Sequence, residues 1–174
     1  MLARYFRVVL FLLCTVAFVI GVSCDLDGQS ISSLPGDVLS ANRELDRQLL
    51  EGHRLLDTDK VMQLFSNSPD IFFIAPDGEL YKGRDHIRQS WERFFRQLLA
   101  IQGEINDISY SPAGDGVIAV GHVTYHRTLK DGTRDQRFVV WTDFRRKENG
   151  NWVYLFRHAH WPLKGQPAQA KPLN

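Results

Sequence analysis

The chain has 174 residues, of which 44% are hydrophobic and 24% are charged, and its formal net charge is +1. This size and composition are ordinary for one globular domain. When Arg4 and Arg7 are set aside with a targeting segment, 19 basic and 20 acidic residues remain, so no basic stripe indicates a nucleic-acid partner and no polybasic cluster indicates binding to anionic lipid.

Residues 1–23 have the pattern of a signal peptide. A positive n-region, MLARYFR, precedes the uncharged apolar run VVLFLLCTVAFVIGVS, which is shorter than the roughly 20 residues that a spanning helix needs. The run ends in GVSC, which resembles a bacterial lipobox in which Cys24 is lipidated, although Gly21 stands where leucine is usual. Conventional secretory cleavage near Ser23 is the alternative.

Cysteine usage favours the lipoprotein. The other cysteine, Cys14, lies inside the apolar run, so the exported chain would carry one cysteine and no internal disulfide. Lipidation gives that thiol a role. We therefore expect a cell-envelope protein that is anchored to a membrane through Cys24 and faces the periplasm or the exterior. A secreted or soluble periplasmic protein is the alternative.

Both ends of the exported chain are expected to lie outside the fold. Residues 24–37 are polar and contain glycine and proline, which is typical of a tether. Residues 164–174 are poor in apolar side chains, so they are expected to form a flexible tail. The folded domain is therefore predicted over residues 38–163.

The first half of this domain predicts helices. ANRELDRQLLEGHRLL carries Leu45, Leu49 and Leu56 near helical spacing, and a short second helix follows the DTD turn. DIFFIAPDGELYKG predicts two short strands around a Pro-Asp-Gly turn. HIRQSWERFFRQLLA predicts a third helix, whose apolar stripe includes Trp91 and Phe95.

The second half predicts a run of strands. Four strand-like segments are separated by AGDG, KDGT and ENG, which are hairpin turn signals. Strands joined by such turns form an antiparallel meander. Helices followed by a meander indicate an α+β fold, with the helices packed on one face of a curved sheet.

This order of elements, together with VMQLFSNSPDIFFIAPDG, YKGRDHIRQSW, VVWTDFRRKENGNW and FRHAHWP, resembles the nuclear transport factor 2-like superfamily, close to its SnoaL-like and ketosteroid-isomerase-like branches. The resemblance covers residues 45–162. It implies a cone-shaped fold in which a curved antiparallel sheet wraps the N-terminal helices and encloses a pocket, and it implies frequent homodimers. Members include isomerases, dehydratases, cyclases, hydrolases and proteins without chemistry, so the fold alone does not decide the function.

Steroid isomerisation is not expected from this comparison. The ketosteroid-isomerase branch has an aspartate base just before a proline, and Ala75 occupies that place here. The position of its oxyanion tyrosine falls near Glu51, which cannot donate a hydrogen bond when ionised.

The last predicted strand, NWVYLFRHAH, carries two histidines. If the strand is unbroken, Trp152, Tyr154, Phe156, His158 and His160 share one face. The resemblance implies that this face looks into the cavity. His158 would then lie near the mouth, and Tyr154 and Phe156 would lie deeper along the same wall. An imidazole there could act as an acid or base near neutral pH, or hydrogen-bond a ligand.

A metal site is not expected. Zinc needs at least three protein ligands, and His158 and His160 could form such a set only if His122 and His126 shared their face and register. We expect neither a metal nor another cofactor.

Further candidate site residues have structural explanations of equal or greater weight. Asp143 could orient a histidine, but an outward-facing acid beside Arg127 or Arg145 is favoured. The resemblance implies that Tyr81 and Arg84 lie at the pocket rim, where Arg84 could bind an anion, although a surface salt bridge explains it slightly better.

Three residues on the predicted helices also have structural explanations. Trp91 is a candidate ligand contact, although core packing explains it better. Nothing in the sequence argues that His53 or His86 has more than a surface role or that of a satisfied core histidine.

Three functions stay open at this point. The first is binding of a small, partly apolar ligand without a complete catalytic set. The second is a small enzyme of the isomerase, dehydratase or hydrolase type that uses His158 and His160, with Asp143 in support. The third is an assembly module that acts through the sheet face, which an exposed Trp141 on the convex side would favour. A homodimer through that face is also expected.

Overall fold

The structure is a computed structural model, and it describes residues 34–162. Its elements in chain order are α1 (Gly36–Arg54), α2 (Thr58–Gln63), β1 (Phe72–Ile74), β2 (Leu80–Lys82), α3 (Arg84–Arg96), β3 (Leu98–Ala113), β4 (Gly116–Leu129), β5 (Arg134–Glu148) and β6 (Asn151–His160). None of the helices within the described residues has the length and apolar character that a membrane span requires. The expected signal peptide, the lipidation site Cys24, most of the tether and the C-terminal tail lie outside these residues.

The first helix buries a stripe that includes polar side chains. Leu45 and Leu49 lie in the hydrophobic core, and Asp46 and His53 are buried beside them. Gly52 allows α2 to pack closely, because a Cβ atom there would lie 2.8 Å from Cγ2 of Val61. This close approach explains a glycine in the middle of a helix, where it otherwise costs stability.

The six strands form one sheet in the order β2-β1-β6-β5-β4-β3. The strands from β3 to β6 make the predicted antiparallel meander. The prediction of an α+β fold, with a curved sheet around N-terminal helices, is confirmed. The sheet is mixed rather than wholly antiparallel, because the β1–β2 hairpin returns beside β6 and β1 runs parallel to it.

A β-bulge in the last strand changes which residues face the helices. Phe144 of β5 pairs with Phe156 and the next residue, Arg145, pairs with Tyr154, so Leu155 is the extra residue. A bulge shifts the alternation of side chains by one position. Tyr154 and Arg157 therefore lie on the same face although they are three apart in sequence.

The inner face of the sheet, turned towards the helices, carries the core. Its buried side chains include Val123, Val139, Trp141 and Ala159, which pack with residues from all three helices. The opposite, outer face carries Phe72, Ile118, Val120, Phe138, Phe144 and Phe156, which are half-buried or exposed.

Candidate functional site

A cavity of about 450 Å³ opens between the inner face of the sheet and the helices. It is lined by residues from α1, the β1–β2 hairpin, α3 and strands β4 to β6. Its aromatic lining residues are Phe73, Tyr81, Trp91, Phe94, Tyr125 and Trp161. A cavity of this size and lining is typical of small-molecule sites.

Trp91 on α3 organises the aromatic wall. Its ring stacks on Phe73 with a centroid distance of 5.2 Å and an interplanar angle of 10°, and it also packs against Phe94, Phe95 and His53. Trp91 is buried, and its Nε1 has no hydrogen-bond partner among the described residues. A buried N–H without a partner costs free energy, so a hydrogen-bond acceptor on a ligand in the cavity would stabilise this donor.

His53 on α1 contributes a buried imidazole to the same cavity. It is only 2% exposed, and its Nδ1 lies 2.9 Å from the hydroxyl oxygen of Tyr125. Its Nε2 is buried without a partner in the described part of the chain. Burial, assisted by the charge of Arg157, lowers the pKa of His53 from its ordinary value of 6.5 to about 3. The ring is therefore neutral at physiological pH.

Arg157 on β6 places a guanidinium against the cavity. It is 4% exposed, and its Nη1 donates to both carboxylate oxygens of Asp143, at 3.0 and 2.8 Å. Burial is the largest influence and lowers the pKa of Arg157, but the attraction of Asp143, together with Tyr154 and Tyr125, outweighs it and the net shift is upwards. Among the described residues, Nε and Nη2 of Arg157 have no hydrogen-bond partner.

Asp143 belongs to a buried network of alternating charges behind the cavity. Besides its bonds from Arg157, it accepts a hydrogen bond from Nη2 of Arg145 at 2.9 Å. Arg145 also donates to both oxygens of Asp46, at 2.9 and 2.5 Å. Burial raises the pKa of Asp143, while the two arginines oppose that shift. The two guanidiniums and two carboxylates balance in charge, as a buried ionic cluster requires.

The cavity mouth has its own charged groups. Nη2 of Arg93 donates to the Tyr81 hydroxyl at 2.8 Å, and that hydroxyl in turn donates to Glu79. Arg127 forms two hydrogen bonds to Asp135, and its guanidinium carbon lies 5.9 Å from the ring centroid of Trp161. These guanidiniums are paired, in contrast to the free edge of Arg157.

His158, His160 and Phe156 do not line this cavity. The structure places them on the outer face, where His158 pairs with Thr142 and the two imidazole centroids are 5.6 Å apart. Phe156 packs there on Phe72. The prediction that these three side chains face the cavity is wrong, because the bulge at Leu155 breaks the regular alternation on which that prediction depended.

The other expected site residues divide between the cavity and the core. Trp91 and Tyr81 line the cavity, and their part in ligand binding stays a prediction. Tyr154 lies on the inner face as expected, but it is buried in the core with its hydroxyl 3.5 Å from Asp46. Asp143 is buried within the ion-pair network, so it neither faces outwards nor orients a histidine.

Arg84 and Trp141 are also found away from their expected positions. Arg84 donates to the backbone oxygens of Met62, Phe65 and Ser66 at 2.9, 2.7 and 3.0 Å, which ties α3 to the end of α2. It borders a second, more polar pocket of about 600 Å³ instead of the aromatic cavity. Trp141 is 2% exposed on the inner face, so it does not mark an outer assembly surface.

Within residues 34–162, no group of three or more His, Cys, Asp or Glu side chains has an arrangement that could hold a metal ion. His122 and His126 lie on the outer face of β4, and His122 pairs with Asp107 and Val140 in the neighbouring strands.

Sequence reasoning missed three residues that shape the cavity. His53 follows Leu49 by four positions and Leu45 by eight, so helical spacing already placed it on the buried stripe of α1. Tyr125 follows from the alternation of β4. Arg157 could not be found in this way, because its face depends on the bulge.

The fold and cavity together define a cone-shaped α+β protein with an aromatic pocket between its sheet and its helices. Residues 44–163 match the SnoaL-like domain, and the chain belongs to that family. No curated protein matches the chain.

Solved structures with this fold are similar at low sequence identity. A nuclear transport factor 2-like superfamily protein from Salmonella enterica serovar Typhimurium has a TM-score of 0.69 and 18% identity, covering 78% of this chain and 98% of that chain. A type 2 hexachlorocyclohexane dehydrochlorinase has a TM-score of 0.63 and 15% identity, covering 77% and 93%. A protein with a cystatin-like fold from Caulobacter vibrioides has a TM-score of 0.63 and 17% identity, covering 74% and 92%. These likenesses show the fold alone.

Proposed function

We propose that the chain binds a small, partly apolar ligand in the aromatic cavity and performs no covalent chemistry on it. The observation that carries this proposal is the cavity itself, in which aromatic walls surround the buried guanidinium of Arg157. Apolar walls supply binding free energy, and a few fixed polar groups supply orientation. The structural relatives include a dehydrochlorinase, so the absence of chemistry needs its own argument.

That argument rests on the lack of a buried general base among the described residues that line the cavity, because its two carboxylates, Asp77 and Glu79, are exposed to solvent and lack the burial that raises the basicity of a carboxylate. Ala75, which lines it, carries no carboxylate, and Asp143 is held in its ion pairs. His53 has a pKa of about 3, which makes it a weak base at neutral pH. The histidines of the alternative enzyme hypothesis lie on the other side of the sheet.

The proposal can be tested by filling the cavity. Ala159 lines it and is 4% exposed, so Ala159→Trp should occupy the space of the ligand. Native mass spectrometry of the full chain in detergent should show a small molecule bound to the wild type and absent from the variant. Leu55→Trp, at the exposed end of α1, is the matched control and should keep the ligand.

Two measurements together would contradict the proposal. The proposal is wrong if the wild type carries no small molecule and if it binds an added fluorescent naphthalene probe no better than Ala159→Trp does.

We further propose that the domain is exported and anchored through lipid on Cys24. The support is the sequence pattern of residues 1–24, which ends with the one cysteine that an exported chain would keep. Changing Cys24 to Ala should release the protein from washed membranes into the soluble fraction, as followed by immunoblotting. A variant that stays in the membranes, or a wild type that is already soluble, would refute lipidation.

A further inference from the structure

We infer that the ligand of the aromatic cavity is an acid, whose carboxylate lies at the Arg157 end while its flat apolar body lies along Trp91. This inference rests on the proposed function and adds the chemical class of the ligand. It starts from three groups that line the cavity. Nε1 of Trp91 and Nε2 of His53 are buried without a partner among the described residues, and the side-chain hydrogen bonds of Arg157 there use Nη1 alone.

Two of these groups can only donate. An indole N–H and a guanidinium have no acceptor atom, so Nε1 of Trp91 and the free Nε and Nη2 of Arg157 call for an acceptor on the ligand. Arg157 bonds Asp143 through Nη1 alone. The two remaining nitrogens form the edge of the guanidinium that binds the two oxygens of a carboxylate in parallel.

His53 fits the same pattern in one of its two neutral tautomers. When the Tyr125 hydroxyl donates to Nδ1 across 2.9 Å, the ring proton lies on Nε2, the atom that is buried without a partner. The imidazole then becomes a third donor. In the other tautomer Nδ1 donates to Tyr125, and the freed hydroxyl proton of that tyrosine supplies the third donor instead.

The charge distribution disfavours a cationic ligand at this end. A ligand ammonium group would approach the guanidinium of Arg157, whose charge already disfavours a proton on His53. The acids that line the cavity, Asp77 and Glu79, are exposed near the mouth, where water weakens their effect. Arg157 is 4% exposed, so its field acts through a medium of low dielectric constant.

The shape of the cavity selects the rest of the ligand. The stacked rings of Trp91 and Phe73 are nearly parallel, and they form a flat apolar surface beside the donors. A volume of about 450 Å³ lies in the range, roughly 300–1,000 Å³, that holds small organic ligands. An aromatic carboxylic acid meets both requirements.

The test compares matched probes on the full chain in detergent. Isothermal titration calorimetry would measure 2-naphthoate, the neutral amide 2-naphthamide and the cation 2-naphthylmethylammonium. We expect the acid to bind at least about tenfold more tightly than the amide, as a charge-assisted bidentate pair provides, and the cation to bind most weakly.

Two conservative variants separate the polar contacts from the fold. Arg157→Lys keeps the charge but loses the fork of donors, and Trp91→Phe keeps an aromatic ring but removes the N–H. Arg157→Lys should weaken 2-naphthoate several-fold and change 2-naphthamide little. Trp91→Phe should weaken both probes, and the acid more, because a hydrogen bond to a charged acceptor is the stronger one. Thermal unfolding of each variant checks that it is folded, and Trp91→Phe stands as the test if Arg157→Lys does not fold.

The outcomes distinguish this inference from the proposed function. Equal affinities for acid and amide, or binding of neither probe, would overturn the carboxylate assignment. If the amide binds as tightly as the acid and Ala159→Trp abolishes that binding, the cavity is a binding site but its ligand is not selected for a carboxylate. A co-purifying molecule that is not an acid would also refute the inference and support the cavity as a binding site.

Discussion

Burial and their different partners leave two residues of the cavity in different charge states: His53 is neutral and Arg157 is positively charged. The imidazole has a hydroxyl group for a partner and remains neutral, whereas the guanidinium has the Asp143 carboxylate and remains charged. The same low-dielectric surroundings therefore produce one neutral and one ionic group, because only one of them has a counter-ion within hydrogen-bond distance.

The neutral state of His53 predicts a pH dependence of stability. Its pKa is about 3 in the folded chain against an ordinary value of 6.5, so between these values the unfolded chain binds a proton that the folded chain does not. The free energy of unfolding should therefore fall as pH drops from about 6.5 towards 3, by up to about 1.4 kcal/mol per pH unit from this residue.

His53→Asn should remove that contribution while keeping a polar atom near Tyr125. Urea unfolding of both proteins between pH 7 and pH 4 would measure the difference in slope, and the values at pH 7 give the cost of the substitution itself. Identical slopes for the two proteins would show that folding does not lower the pKa of His53.

The ion-pair network predicts a large cost for neutralising Asp143. In Asp143→Asn the guanidinium of Arg157 loses its counter-ion while it stays buried, which costs about 3–5 kcal/mol when a buried pair is broken. Asp59→Asn is the matched control, because Asp59 pairs with Arg88 at the surface and should cost less than about 1 kcal/mol. Chemical denaturation measures both, and equal effects would contradict the buried network.

At the scale of elements, the packing of α1 on α2 depends on one glycine. The space at Gly52 is closed by Val61, whose Cγ2 would lie 2.8 Å from an added Cβ atom. Alanine favours a helix over glycine by up to about 1 kcal/mol, but overpacking a buried contact costs about 1–3 kcal/mol. The contact therefore outweighs the propensity at this position.

Gly52→Ala is accordingly expected to destabilise the domain by about 1–2 kcal/mol. Gly36→Ala, in the same helix with open space around it, should be neutral or stabilising. In the double variant with Val61→Ala the clash is relieved, so the two changes should cost less together than the sum of their separate costs in thermal or urea unfolding. Additive costs would show that the helices do not meet at Gly52.

At the scale of the whole molecule, the outer face of the sheet predicts self-association. Phe72, Ile118 and Val120 are each more than a third exposed on it, and half-buried phenylalanines lie between them. An apolar sheet face of this kind marks an interaction surface. We propose that a second copy of the chain covers it.

Analytical ultracentrifugation of the full chain in density-matched detergent should show a dimer at micromolar concentration. Val120→Glu places a charge in the centre of the face and should give a monomer. Leu55→Glu changes an equally exposed residue at the end of α1, on the helical side, and should leave the dimer intact. A monomeric wild type would reject this interface.

The sequence by itself determined the order of the elements, the meander and the family resemblance, because hydrophobic periods and turn residues act over a few neighbouring positions. It also contained the signal for His53, which lies on the same helical stripe as Leu45 and Leu49. Which residues of the last strand face the cavity was decided only by the tertiary structure. The bulge at Leu155 arises from the pairing of β6 with β5, and it turns Arg157 inwards and His158 outwards. The role of Asp143 was decided in the same way, since Arg157 reaches it only when β6 pairs with β5, and Asp46 joins the network only when α1 packs on the sheet.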